Sequence, residues 1–107
     1  MILNSNISVV VCVKNEESRI EDCLKSIITN HPSEIIVVDG DSSDRTAEIA
    51  QKYTDKVIIS RKSNLTRDRQ IGIDSVNNDL IAMIDADHRL DEDSLQGLLH
   101  DLNNHDY

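Results

Sequence analysis

The sequence predicts an α/β fold, a three-layer α/β/α unit built on a mostly parallel four-stranded sheet. Three observations lead to it. Short apolar runs at 7–13, 34–39, 57–59 and 80–84 have the length and composition of buried strands. Stretches with helical apolar spacing separate them, giving the order β-α-β-α-β-α-β-α. That alternation implies parallel strands, right-handed crossovers and helices on both faces of the sheet. A chain of 107 residues sets a limit of one domain, spanning 1–107, with no internal repeat and no linker.

The first run, from Ile7 to Val13, is β-branched throughout and the most hydrophobic, so it is expected at the centre of the sheet, buried on both faces. Asn15 is expected to cap a helix that carries Ile20, Cys23, Leu24, Ile27 and Ile28 on one face and ends near Asn30-His31-Pro32. The second strand ends in Asp39, and Gly40 to Asp44 make a turn in which Ser43 or Asp44 caps a helix over 45–53. A third strand is expected at 57–59, then a polar connection, then a helix over 65–76 that contains Gly72. The fourth strand enters from Asn77-Asn78-Asp79 and leaves into Asp85-Ala86-Asp87. Asp91 is expected to cap a last helix bearing Leu95, Leu98, Leu99 and Leu102. Apart from the central place of the first strand, the sequence does not order the sheet.

Composition narrows the function. A net charge of −9 argues against nucleic acid or an anionic membrane as a partner, and makes a diphosphate ligand unfavourable unless a cation intervenes. Cys12 and Cys23 fall on a strand and on an apolar helix face, and are expected as reduced core thiols. No basic segment precedes a signal-like apolar stretch, and no apolar run approaches membrane-spanning length. A cytoplasmic chain is expected, or the cytoplasmic face of a membrane if the parent chain is longer. With three glycines in all, there is no Gly-x-Gly-x-x-Gly and no Walker loop, so phosphate handling falls to a metal ion and a few basic side chains.

The chemistry concentrates where the predicted strands end, the edge at which open parallel sheets bind ligands. Three Asp-x-Asp triplets occur: Asp39/Asp41, Asp85/Asp87 and Asp91/Asp93. The first two follow predicted strands, and only the second has a small apolar residue between its acids. Asp85 and Asp87 can share a hard divalent cation and leave room for phosphate oxygens. Asp39 can accept a hydrogen bond from a ribose hydroxyl or a base N–H. Lys14 can meet a phosphate as a point charge, and Arg69, with Arg67 nearby, brings positive charge to an acidic molecule. Asp91 and Asp93 are expected as first-turn helix acids, and His88 as a solvated loop residue.

Four blocks then occur in a set order: Ile7-Ser8-Val9-Val10-Val11 leading to Asn15-Glu16-Glu17; Glu34-Ile35-Ile36-Val37-Val38-Asp39-Gly40-Asp41-Ser42-Ser43-Asp44-Arg45-Thr46; Arg69-Gln70-Ile71-Gly72; and Ile84-Asp85-Ala86-Asp87. Together they resemble the start of a family 2 glycosyltransferase of the GT-A fold, a Rossmann-like architecture, over about Ile7 to Leu99. The resemblance implies binding of a nucleoside-diphosphate sugar, a UDP- or GDP-sugar, with Asn15, Glu16 and Asp39 holding the nucleoside and Asp85 the ribose; Lys14, Asp41 and Arg69 are expected beside them in the same nucleotide-sugar site. It implies Mg²⁺ or Mn²⁺ held by Asp85 and Asp87, which match the DxD motif. Three departures stand out. Cys12-Val13-Lys14-Asn15 lacks the family's usual proline, the second acid of Asp39-Gly40-Asp41-Ser42 is displaced by one, and Gln70 stands where the family has asparagine. The family's acceptor-binding half and catalytic base follow the DxD region. No catalytic residue is therefore assigned, and the chain alone is expected to turn over poorly. The edge of the fourth strand, open without that half, is expected to invite pairing with a second copy.

Two other readings remain at this point. A phosphoacceptor receiver domain is also small, acidic and α/β, but it needs an acidic pair after its first strand, where this chain has Lys14-Asn15. A non-catalytic nucleotide- or protein-binding module on the same fold would share every motif and differ only in lacking transfer.

Overall fold

The computed structural model describes residues 7–61 and 64–87. The helix expected after Asp91, together with His88 and Asp93, lies outside the described residues. Seven elements follow in order: β1 (Ile7–Val13), α1 (Ile20–Ile28), β2 (Glu34–Asp39), α2 (Thr46–Ala50), β3 (Lys56–Ile59), α3 (Leu65–Ser75) and β4 (Leu80–Asp85). The strands form one parallel sheet in the order β3-β2-β1-β4, so β1 is interior as its composition predicts.

The sheet buries side chains on both faces because each strand alternates between them. On one face Ile7, Val9, Val11 and Val13 meet Ile20, Cys23, Leu24 and Ile27 of α1 and Ala50 of α2. On the other, Val10, Ile36 and Val38 pack with Cys12, Ile71 and Val76. Ile28 departs from its expected place: it is an exposed residue at the end of α1, one position past the buried stripe. The outer edge of β4 has no strand partner among the described residues, and Met83 on that strand is 41% exposed.

α3 lies on β1 because of Gly72. A Cβ built on Gly72 would stand 2.3 Å from Cγ1 of Val10, so only glycine lets the helix come this close. The helix starts where Asn64, in an extended conformation, accepts a hydrogen bond from the Arg67 N–H at 2.8 Å.

Far from the ligand edge, at the amino ends of the strands, Glu34 ties several segments together. Its carboxylate accepts from Ser8 Oγ at 2.5 Å, from the Asn77 N–H at 2.6 Å and from Asn77 Nδ2 at 3.2 Å, and it pairs with Lys56 Nζ. Asn78 Nδ2 donates to Ser8 Oγ and Ser33 Oγ, both at 3.0 Å. Burial pushes the Glu34 carboxyl up, but the bonds from Lys56, Ser8 and Asn77 outweigh it and hold the group down to about 2.

Two outcomes follow. Gly72→Ala is expected to lower stability by about 1–3 kcal/mol in urea denaturation, overpacking outweighing the gain in helix propensity. For Glu34 the folded-state value lies below the ordinary carboxylate value of 4.5. Its stabilisation is therefore complete above that value and lost as pH falls from about 4.5 toward 2. Denaturation midpoints measured across that window should fall steeply for the natural chain and less for Glu34→Gln, which starts lower.

Candidate functional site

The carboxyl edge of the sheet carries two loops that grip each other. The β1–α1 loop does not begin as a helix cap at Asn15. Asn15 takes a left-handed backbone, φ 53°, and α1 begins only at Ile20, after a turn closed by the Arg19 and Ile20 N–H groups on the Glu16 carbonyl. The physical reason is a set of partners across the edge. Asn15 Oδ1 accepts from the Ser43 N–H at 2.9 Å and from Ser43 Oγ at 3.2 Å, and the Asn15 N–H donates to Ser42 Oγ at 2.8 Å. The Glu16 N–H donates to Thr46 Oγ1 at 2.8 Å. Glu17 and the next loop exchange bonds: the Glu17 N–H donates to Asp44 Oδ2 at 3.3 Å, and Glu17 Oε2 accepts from the Arg45 N–H at 3.0 Å. Asp44 also accepts from the Thr46 N–H at 3.0 Å and from its hydroxyl, closing a turn just ahead of α2, whose N-cap position is Arg45, without a side-chain cap, rather than the expected Ser43 or Asp44.

Asp39 anchors this clasp. It is 1% exposed, and its two oxygens accept from Ser42, Oδ2 from the N–H at 2.9 Å and Oδ1 from Oγ at 2.5 Å. Asp41, also left-handed at φ 59°, is exposed and pairs with Arg61 at 3.5 Å.

The expected site residues share one edge but divide between its faces. In the parallel ladder Val13 pairs with Asp39, and Cys12 pairs with Asp85. Paired residues point to the same face and neighbours along a strand to opposite faces. Asp39 therefore belongs to the α1/α2 face and Asp85 to the α3 face, two strand spacings or roughly 10 Å apart. Beside Asp85, a cleft of about 310 Å³ opens between the β1 exit and the start of α3, lined by Cys12, Val13, Lys14, Asn64, Leu65 and Asp68. The Cys12 thiol is pushed up to about 11, mainly by burial, then by the negative charge of Asp68, against Arg69 and with Asp85. It stays protonated at neutral pH and is no nucleophile. Lys14 and Arg69 are exposed.

Asp85 and Asp87 are exposed at the β4 exit with buried Ala86 between them, and Cys23 Sγ donates to the Asp85 carbonyl at 3.7 Å, fixing the exit to α1. Among the described residues, no group of three or more metal-ligating side chains converges. The pair nevertheless suits Mg²⁺ or Mn²⁺ by donor type. Such ions take one or two carboxylates and complete their shell with phosphate oxygens and water.

Asp68 escaped the sequence reading, which took 67–69 as a source of positive charge. It is a carboxylate 4% exposed, and the available signal was its place one helical turn before Gly72, on the face turned to the sheet. Ser42 was also missed, although an aspartate followed three residues later by serine is a turn-forming pattern.

The profile of glycosyl transferase family 2 matches residues 8–107. The chain belongs to this family. It is 34% identical over 92 residues to an uncharacterized glycosyltransferase of Rickettsia bellii, covering 86% of this chain and 31% of that protein. It is 33% identical over 100 residues to the putative glycosyltransferase EpsH of Bacillus subtilis, covering 87% and 29%. Over 108 residues it is 33% identical to the 4,4'-diaponeurosporenoate glycosyltransferase of Staphylococcus haemolyticus, covering 88% and 28%. The crystal structure of S. aureus TarS 1-349 superimposes with a TM-score of 0.83 at 23% identity, over 92% of this chain and 32% of that one, a likeness of fold. The family 2 chain thus spans about a third of the length of these relatives. Among the described residues, no helix is long and apolar enough to cross a membrane.

Ser42→Ala removes the hydroxyl that both accepts from Asn15 and donates to Asp39. A loss of about 1–3 kcal/mol in thermal unfolding is expected, with faster hydrogen exchange at the Asn15 amide.

Proposed function

We propose that this family 2 chain is the nucleotide-sugar-binding part of a glycosyltransferase, and that it holds a UDP- or GDP-sugar at the carboxyl edge of its sheet together with Mg²⁺ or Mn²⁺. The observation that carries the reading is the juxtaposition at the β4 exit: two exposed carboxylates stand beside a cleft lined by Lys14 and α3, in a chain whose relatives are glycosyltransferases.

Each residue has a distinct task. Asp85 and Asp87 supply the hard oxygen donors, with Asp85 also within reach of a ribose hydroxyl. The cation, when bound, supplies Lewis-acid neutralisation of the charge that develops on the departing diphosphate. Lys14 and Arg69 add positive charge near the phosphates, which the net charge of −9 would otherwise repel. Asn15, Glu16, Asp39 and Asp41 shape the neighbouring loop edge, where main-chain and side-chain groups can meet the nucleoside. No catalytic base is assigned. Deprotonation of the acceptor hydroxyl is left to a group outside these residues.

Calorimetric titration with UDP and GDP, each with and without Mn²⁺, tests this. Binding is expected only with the metal, and Asp87→Ala should weaken it by at least about tenfold, the loss of one charge-assisted ligand. Metal-independent binding, or no binding to either nucleotide by the folded protein, would sink the reading.

A further inference from the structure

Every residue of β4 before Asp85 is apolar, on both faces of the sheet. Leu80, Ala82 and Ile84 pack against the α1/α2 core, and Ile81 packs with Val10 on the α3 side. In most strands a one-residue slip exchanges an apolar face for a polar one, and the lost burial fixes the register. In β4 that safeguard is weak. Slid one residue toward the carboxyl edge, the strand would set Ile84 opposite Cys12 and Asp85 opposite Val13. Apolar residues would still fill the interior positions, and the one polar newcomer, Asp79, would take the place of half-buried Leu80 at the strand's start. Asp85, however, would leave the α3 face for that of Asp39.

The strongest hold on the observed register is at the opposite end of the strand. The Asn77 N–H donates to Glu34 Oε1 at 2.6 Å, and Asn77 Nδ2 donates to Glu34 Oε2 at 3.2 Å. Asn78 Nδ2 donates to Ser8 Oγ and Ser33 Oγ, both at 3.0 Å. Their partners are fixed: Ser8 and Glu34 pair across β1 and β2, Ser8 is fully buried, and its hydroxyl donates to Glu34 at 2.5 Å. A one-residue slip moves both asparagines by roughly 3.3 Å, beyond hydrogen-bond reach of these partners. The exit is held more weakly, by the Cys23 thiol on the Asp85 carbonyl at 3.7 Å and by the small side chain of Ala86.

Building on the metal site proposed above, we propose that Asn77 and Asn78 are positioning residues: held by Glu34, Ser8 and Ser33, they set the register of β4 on β1 and so keep Asp85 on the face where it serves the cation. They act from seven residues away, roughly 23 Å along the strand, and touch neither metal nor nucleotide.

The test reads register and metal binding separately on the 107-residue chain. Cross-strand backbone NOEs should show one arrangement in the natural chain, with Asp85 opposite Cys12. Asn77→Ala/Asn78→Ala should add a second set with Ile84 opposite Cys12. Its Mn²⁺-dependent affinity for UDP and GDP, measured by calorimetry, should fall at least about threefold, the factor set by a native-register share of a third or less. Glu34→Gln, which keeps the size of the side chain, should show the same second set and serves if the double variant does not fold. Lys56→Met removes the Glu34 partner that lies on β3; it should lower the thermal midpoint and leave register and Mn²⁺ affinity unchanged. A single native register in the asparagine variant and in Glu34→Gln would overturn the proposal, and so would a slipped strand in Lys56→Met, which would make the slip a general effect of lost stability. Absence of Mn²⁺-dependent binding in the natural chain would remove the metal site, while the NOEs alone still decide what sets the register.

Discussion

The contact between Gly72 and Val10 fixes the geometry on which the site depends. With no Cβ at 72, α3 settles directly onto the interior strand of the sheet. One helical turn earlier, about 6 Å along the helix axis, stands Asp68, and two residues further along β1, about 6.6 Å, stands Cys12. The two advances nearly match, so the helix delivers a carboxylate to the last turn of space above the strand's exit. A larger residue at 72 would lift the helix, and the cleft between Asp68 and Cys12 would change shape with it.

The parallel ladder explains why acids at one edge take different work. Residues paired across β2, β1 and β4 share a face, and a register offset of one residue separates Asp39 from Asp85. On one face the acid is absorbed into a clasp of hydrogen bonds between loops 14–17 and 42–46. On the other, the acids and basic side chains surround an opening. The clasp satisfies main-chain donors that the two strand exits and the short helix α2 would otherwise leave without partners. It also gives the loops a defined shape before any ligand arrives, which reduces the ordering that binding must impose.

Much of this was legible in the sequence. Periodicity located all seven described elements and the strand ends to within a residue, while α1 starts four residues later than a cap at Asn15 implies and α2 ends three residues before Tyr53; the β-branched run at Ile7 marked the interior strand. Asp85-Ala86-Asp87 stood out because a strand signal preceded it. Local patterns failed where the decisive partner is distant in sequence. Asn15 has the chemistry of a helix cap, yet its partners Ser42 and Ser43 lie 27 and 28 residues on, and they draw its backbone into the left-handed region. Asp68 looks like one charge among several until the sheet shows which face of α3 is buried. Glu34 resembles an ordinary polar start to a strand, and its importance appears only when Ser8, Lys56 and Asn77 converge on it.

The place of β1 between β2 and β4 has a consequence for how the chain acquires its shape. Pairing with β2 closes a modest loop, but the contacts that seat β4 join residues such as Asn78 and Ser8, 70 positions apart. During synthesis β1 must therefore wait, one side already zipped to β2 and the other bare, until β4 has left the ribosome. Contacts of such long range slow folding and expose apolar strand edges meanwhile. The half-formed β3-β2-β1 sheet is thus the species on which a chaperone would act.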